Sequence, residues 1–171
     1  KTSGEDRPEF ARPDYDDSAW SGPAPGLLWV DTRNNGGNPS IELRNTEMPA
    51  DPNNNGFPFV TYYFRTHFTL ANPVKGSFLA ISGFVDDGAA FYLNGTEIYR
   101  LRLREGATAQ TLANGFPCSG DATCPDELSI SLDSTKSVVA GDNLLAVEAH
   151  NYNLRSADIT FGISLNLIEP L

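Results

Sequence analysis

At 171 residues the chain is one domain's worth, long enough to bury roughly 70% of its unfolded surface in a single core. Hydrophobic residues make up 40% of it and aromatics 11%, which excludes a disordered chain. With 12 Lys and Arg against 22 Asp and Glu the formal net charge is −10, which argues against a nucleic-acid backbone or an anionic membrane as partner, because both would repel it.

No stretch approaches the length that spans a bilayer, and Lys1 to Asp6 form no apolar signal region. Residues 1–59 are dense in Pro, Gly, Asn and Asp, with only brief apolar runs such as Gly26-Leu27-Leu28-Trp29-Val30. This part is expected to wrap the domain, with Trp20 as an anchor, and to leave Asn34-Asn35-Gly36-Gly37-Asn38 and Asn53-Asn54-Asn55-Gly56 as loop tips.

From residue 60 onward the pattern changes to short alternating runs, broken every ten or so residues by turn formers. Val60 to Leu70 is the clearest strand: Tyr62, Phe64, Thr66, Phe68 and Leu70 share one face, and Thr61, Tyr63, Arg65, His67 and Thr69 the other. Further strands are expected at Ser77 to Ser82, Ala89 to Leu93, Thr96 to Arg104, Glu127 to Leu132, Asn143 to His150 and Ile159 to Ile168. Asn94-Gly95 between two of these runs favours a type I′ hairpin, whose turn residues both need positive φ. Short antiparallel strands with no helix to cover them indicate an all-β sandwich, a single domain over 1–171 whose main strands lie in 60–171.

Cys118 and Cys124 flank a five-residue Pro- and Gly-bounded loop. Two thiols this close can close a local disulfide worth about 2 kcal/mol on the chain-entropy estimate. The pair is at best half a metal site, since no nearby His or third Cys completes it; two free thiols are the remaining alternative. The disulfide reading implies an exported, extracellular protein.

Four blocks share an order and spacing across nearly the whole chain: Tyr15 to Pro25, Tyr63 to Phe68, Val85 to Gly95, and Gly141 to His150. Together they resemble the galactose-binding-like jelly-roll modules found beside catalytic domains in secreted bacterial proteins. The resemblance implies a two-sheet jelly-roll sandwich that often serves carbohydrate recognition and sometimes only holds a neighbouring domain in place. The chain departs from it in the Asn-rich residues 29–58 and in the loop around Cys118 and Cys124. Within the first block, Asp16 or Asp17 before Ser18-Ala19-Trp20 suits the cap of a single helical turn, with Trp20 packed on the sandwich. Asn94-Gly95-Thr96 is formally a glycosylation sequon, although the tight turn explains it without a glycan.

A sugar site needs a flat aromatic face flanked by amides, carboxylates or Arg. His150, Asn151, Tyr152, Asn153 and Arg155 offer these within one loop between two strands; a polar turn satisfying its own backbone is the competing reading. Trp29, near Asp31, Arg33, Asn34 and Asn35, is a second candidate platform. Asp86 and Asp87 repel one another unless a cation or donor lies between them, so a structural Ca²⁺ with Asp158 as distant ligand stands against an Asx turn entering the strand. Arg100, Arg102 and Arg104 alternate with Leu101 and Leu103, and so are expected on one face, meeting either an acidic polysaccharide or the chain's own carboxylates.

Catalysis has little support, because any Ser-His-Asp arrangement must use His67 or His150 and no Gly-x-Ser-x-Gly elbow is present. The leading expectation is therefore a non-catalytic carbohydrate-binding module of an extracellular protein, taking a polysaccharide or oligosaccharide. The alternatives are a structural or adhesion module that meets other protein domains, and a carbohydrate-active enzyme with a carboxylate pair.

Overall fold

The computed structural model describes residues 2–3, 6–7, 9–32, 44–72, 75–120, 122–133 and 137–170. Its strands are β1 (Thr2–Ser3), β2 (Leu27–Asp31), β3 (Arg44–Glu47), β4 (Thr61–Leu70), β5 (Phe78–Val85), β6 (Gly88–Leu93), β7 (Thr96–Leu101), β8 (Asp126–Ser131), β9 (Gly141–His150) and β10 (Asp158–Ile168). A 3₁₀ turn at Cys118–Gly120 is the single helical element among the described residues. Asn34 to Asn38, expected as a loop tip, and Arg33 lie outside them.

Two five-stranded sheets result, a first ordered β1-β4-β9-β6-β7 and a second ordered β3-β2-β10-β5-β8. With the short β1 and β3 set aside, the pairing is nested: β2 with β10, β4 with β9, β5 with β8, β6 with β7. The chain is one long antiparallel ribbon rolled up so that β10 also meets β5 and β9 meets β6, which is a jelly roll. The expected all-antiparallel pattern needs one correction. β2 and β3 pair in parallel at the edge, and residues 32–43 between them supply the long connection that parallel neighbours require.

Alternation along β4 explains both of its faces. Phe64 turns inward and stacks on Phe161 of β10, with ring centroids 4.2 Å apart and planes 17° from parallel; such a pair adds about 1 kcal/mol beyond its burial. Leu79, Ile81 and Val85 of β5, Phe91 of β6, Leu128 of β8 and Val147 of β9 fill the space between the sheets. Tyr62, with Val30, Met48 and Ile159, closes one end of that core. Its hydroxyl donates to Pro49 O and accepts from Phe59 N, so the buried polar tip is satisfied.

The opposite face of the first sheet is covered as well. Phe10 and Ala11 pack on Tyr63, Leu144 and Ala146, with Trp20 at their margin. Arg65 fixes this strap: its guanidinium binds Asp17 at 2.7 Å and donates to the carbonyls of Phe10, Arg12 and Tyr15. Trp20 therefore anchors the N-terminal segment on the outside of the sandwich, behind a turn in which Ser18 N donates to Asp16 Oδ1 at 3.0 Å. Asp16 is held below the usual carboxylate range by these Ser18 hydrogen bonds.

The β6–β7 hairpin turns through Asn94 and Gly95, both at positive φ, as the dipeptide requires. Asn94 donates its amide hydrogens to Ser137 O and Asn143 Oδ1 and accepts from Leu144 N. Both Nδ2 hydrogens are thus engaged, which supports the turn role over the sequon.

Candidate functional site

At the end of the sandwich where β5, β7 and β9 finish, three loops are tied into one unit. Asp86 N donates to Thr160 O at 2.9 Å and Asp87 N to His150 O at 3.2 Å. The Asp87 carboxylate accepts from Tyr152 N at 2.6 Å, fixing the start of the β9–β10 loop. Arg102 supports the arrangement from below. It donates to Asp87 O (2.7 Å) and Val85 O (2.8 Å), and forks onto both oxygens of Asp126 at 2.7 and 2.8 Å. The Arg102 carbonyl accepts from Asn114 N at 2.9 Å, so the same residue also holds the β7–β8 loop. Gly88 makes this close approach feasible, since a Cβ there would lie 2.5 Å from Arg102 O.

What these ties hold out to solvent is aromatic. Tyr152 is 42% exposed and Phe116, at the tip of the β7–β8 loop, 60%. Their rings meet edge to face, with centroids 5.5 Å apart. The Cys118–Cys124 disulfide closes the chain just beyond Phe116. Asn153, Leu154 and Arg155 are exposed on the same loop as Tyr152. Asn54 donates to Leu154 O at 2.8 Å, so the Asn-rich turn at 51–57 docks beside that loop and forms a third wall.

The other expected site residues are placed differently. His150 is sealed at 0% exposure. Its Nδ1 faces Thr111 O at 2.7 Å and Thr61 Oγ1 at 3.1 Å; a carbonyl can only accept, so Nδ1 carries the proton. Nε2 lies 3.4 Å from Glu148 Oε2, and Tyr92 donates to the other Glu148 oxygen at 2.8 Å. Asn151 is buried too, bonding through its backbone to Val60 and Ala113 and through Oδ1 to Asn153 N. Both residues belong to the frame under the loop, not to its exposed rim. Trp29 is half-buried in β2 opposite Thr160, on the outward face of the second sheet.

Asp86, Asp87 and Asp158 are all buried. Among the described residues no three His, Cys, Asp or Glu side chains converge to hold a metal ion, and Asp87 has a backbone donor instead. Arg100, Arg102 and Arg104 do not share a face either, because β7 ends at Leu101 and Arg102 takes a positive φ of 47°. Arg100 pairs with Glu97 and Arg102 with Asp126, so the chain's own acids take those two cations.

Sequence reasoning missed Phe116 and the positioning role of Arg102. The first had a signal, an aromatic in a short loop closed by two cysteines. The second had none, because its partners are 15 and 24 residues away.

No protein-family model matches the chain, and no curated protein matches it in sequence. Among solved structures it is similar to part of a β-glucuronidase from Ruminococcus gnavus in complex with C6-substituted uronic isofagomine, at 16% identity and a TM-score of 0.38 over 75% of this chain and 21% of that one. The same enzyme in complex with D-glucaro 1,5-lactone matches over 54% of this chain and 13% of that one, at 20% identity and a TM-score of 0.35. A β-glycosidase from Bacteroides vulgatus matches over 82% of this chain and 20% of that one, at 13% identity and a TM-score of 0.36. The chain thus spans about a fifth or less of each of these proteins.

Proposed function

We propose that the chain is a non-catalytic carbohydrate-binding module whose ligand lies on the Tyr152–Phe116 pair. One observation carries the reading: two aromatic rings stand exposed at loop tips whose backbones are fixed from beneath by Asp87 and Arg102. Each exposed ring on this fixed support offers its own apolar face for sugar C–H groups, with Asn153, Asn114 and Arg155 available as donors to hydroxyls. No catalytic step is part of the proposal. His150 is sealed, and His67 is paired with Asp142 at 2.8 Å on the outward face of β4. The Cys118–Cys124 disulfide supports an extracellular setting.

Affinity gel electrophoresis against a panel of soluble polysaccharides tests this reading. At least one polymer should retard the protein, with a Kd of about 10⁻³ to 10⁻⁵ M. Tyr152→Ala should weaken that binding tenfold or more, while changing stability by less than about 0.5 kcal/mol, the usual range for a surface position. Retardation that is unchanged in both Tyr152→Ala and Phe116→Ala would refute it.

A second reading, a module that meets other protein surfaces, has one observation of its own. Phe78 and Ile168 are cross-strand neighbours on the second sheet and are 41% and 52% exposed. Sedimentation of wild type against Phe78→Ser/Ile168→Ser would separate it from the first, because only self-association through that face should respond.

A further inference from the structure

The charges around the aromatic pair run against the rest of the molecule. In a chain of net charge −10, Arg12, Arg65, Arg100 and Arg102 each close on a carboxylate of the chain itself. Arg155 does not. It is exposed, stands three residues beyond Tyr152 in the same loop, and has no ion pair among the described residues. Its one tie among the described residues is through the backbone, where Arg155 N donates to Asn153 Oδ1 at 2.8 Å; the guanidinium is left to solvent. Arg104 is likewise exposed, but it lies outside that loop.

Among the described residues, four carboxylates near the same end are withdrawn or engaged. Asp87 and Asp158 are buried. Asp126 is held in the fork of Arg102, and Asp51 accepts from Asn53 N at 2.9 Å. Among the described residues, the exposed polar side chains beside the two rings in their own loops include two amides, Asn153 and Asn114, and one cation, Arg155. A neutral sugar needs acceptors as well as donors, because every hydroxyl offers both. The amides offer a neutral sugar both donors and acceptors; what they leave unmatched is the guanidinium, a charged donor fork that fits a ligand carrying a carboxylate.

We propose, resting on the carbohydrate reading above, that this site selects an acidic polysaccharide whose uronate carboxylate is bound by Arg155 while the ring lies on Tyr152 and Phe116. Guanidinium and carboxylate match as a two-point fork, which gives orientation along with attraction. Arg155 is the specificity-determining contact, and the aromatic pair supplies binding common to charged and uncharged sugars. The acidic surface elsewhere disfavours a polyanion approaching in any other orientation.

The test uses polygalacturonate, alginate, methyl-esterified polygalacturonate and a neutral galactan as immobilised probes. The proteins are wild type, Arg155→Gln and Tyr152→Ala, all as the full chain. Wild type should bind at least one uronate polymer about tenfold more tightly than the esterified and neutral probes. Arg155→Gln should lower that affinity to the level of the neutral probes, and Tyr152→Ala should weaken binding to every probe. Equal affinity for free-acid and esterified polymer, or a preference that survives Arg155→Gln, overturns this inference while leaving a glycan site in place. Failure of every polymer to bind, charged or neutral, overturns the inference and the carbohydrate reading together. The melting midpoint of Arg155→Gln should equal wild type, which separates loss of recognition from loss of fold.

Discussion

The two ends of the sandwich are built on opposite principles. Where β5, β7 and β9 finish, backbone amides, Asp87 and Arg102 knit three loops together and hold two aromatic rings outward. Toward the other end, β4 and β10 leave an opening of about 420 Å³ between the sheets, lined largely by apolar residues such as Phe68, Leu79, Leu145, Ile163 and Leu167. Order in the first region comes from directional hydrogen bonds, so its exposed groups stand in fixed positions. The second relies on non-directional apolar contact, which fixes no ligand orientation. Recognition of a ligand as polar as a sugar needs the first kind of order. The contrast teaches that exposed apolar surface is not equivalent everywhere: Tyr152 and Phe78 have nearly equal exposure, 42% and 41%, on very different supports.

Removing the support should produce the largest effect. Arg102→Met deletes bonds to Asp87, Val85 and Asp126 and leaves a largely buried carboxylate without its cation. It should cost about 3 kcal/mol, which in a domain of this size lowers the melting midpoint by roughly 6 to 12 °C. Calorimetry reads this directly. An unchanged midpoint would mean that the loops are held by something other than Arg102.

A second test addresses the covered side of the frame. Tyr62, Tyr63 and Tyr92 are each shifted well above the ordinary 10.0, chiefly by burial; the charge of Glu148 adds to the shift of the latter two. Their neutral forms are therefore favoured in the folded state. The associated stability is complete below the unfolded value of 10.0 and is lost as pH rises past it. Chemical denaturation should show a constant midpoint just below pH 10 and a falling one above it. Ultraviolet titration should find these three of the six tyrosines ionising only as the protein unfolds.

Most of the frame was legible in the sequence because β-strand alternation is a local signal. The two faces of β4 follow from period two alone, and Asn94-Gly95 specifies its turn through backbone sterics. β2 and β3 were not legible as strands. They are short, lie among turn formers, and depend on partners far along the chain, β2 on β10. The candidate site was legible only in part for the same reason. Tyr152, Asn153 and Arg155 stand out as a polar and aromatic loop. Whether a loop residue points outward, as Tyr152 does, or supports from within, as His150 and Asn151 do, depends on Thr61, Thr111, Val60 and Ala113. These contacts bridge separations that no local pattern encodes.

The most direct test of the central claim is a titration of isotopically labelled protein with an oligosaccharide cut from whichever polymer retards it, followed by amide and aromatic chemical shifts. Perturbations should concentrate at 114–116 and 152–155, with the rings of Phe116 and Tyr152 shifted most. Shifts centred instead on Trp29 and the outward face of the second sheet, or around Phe78 and Ile168, would contradict the account.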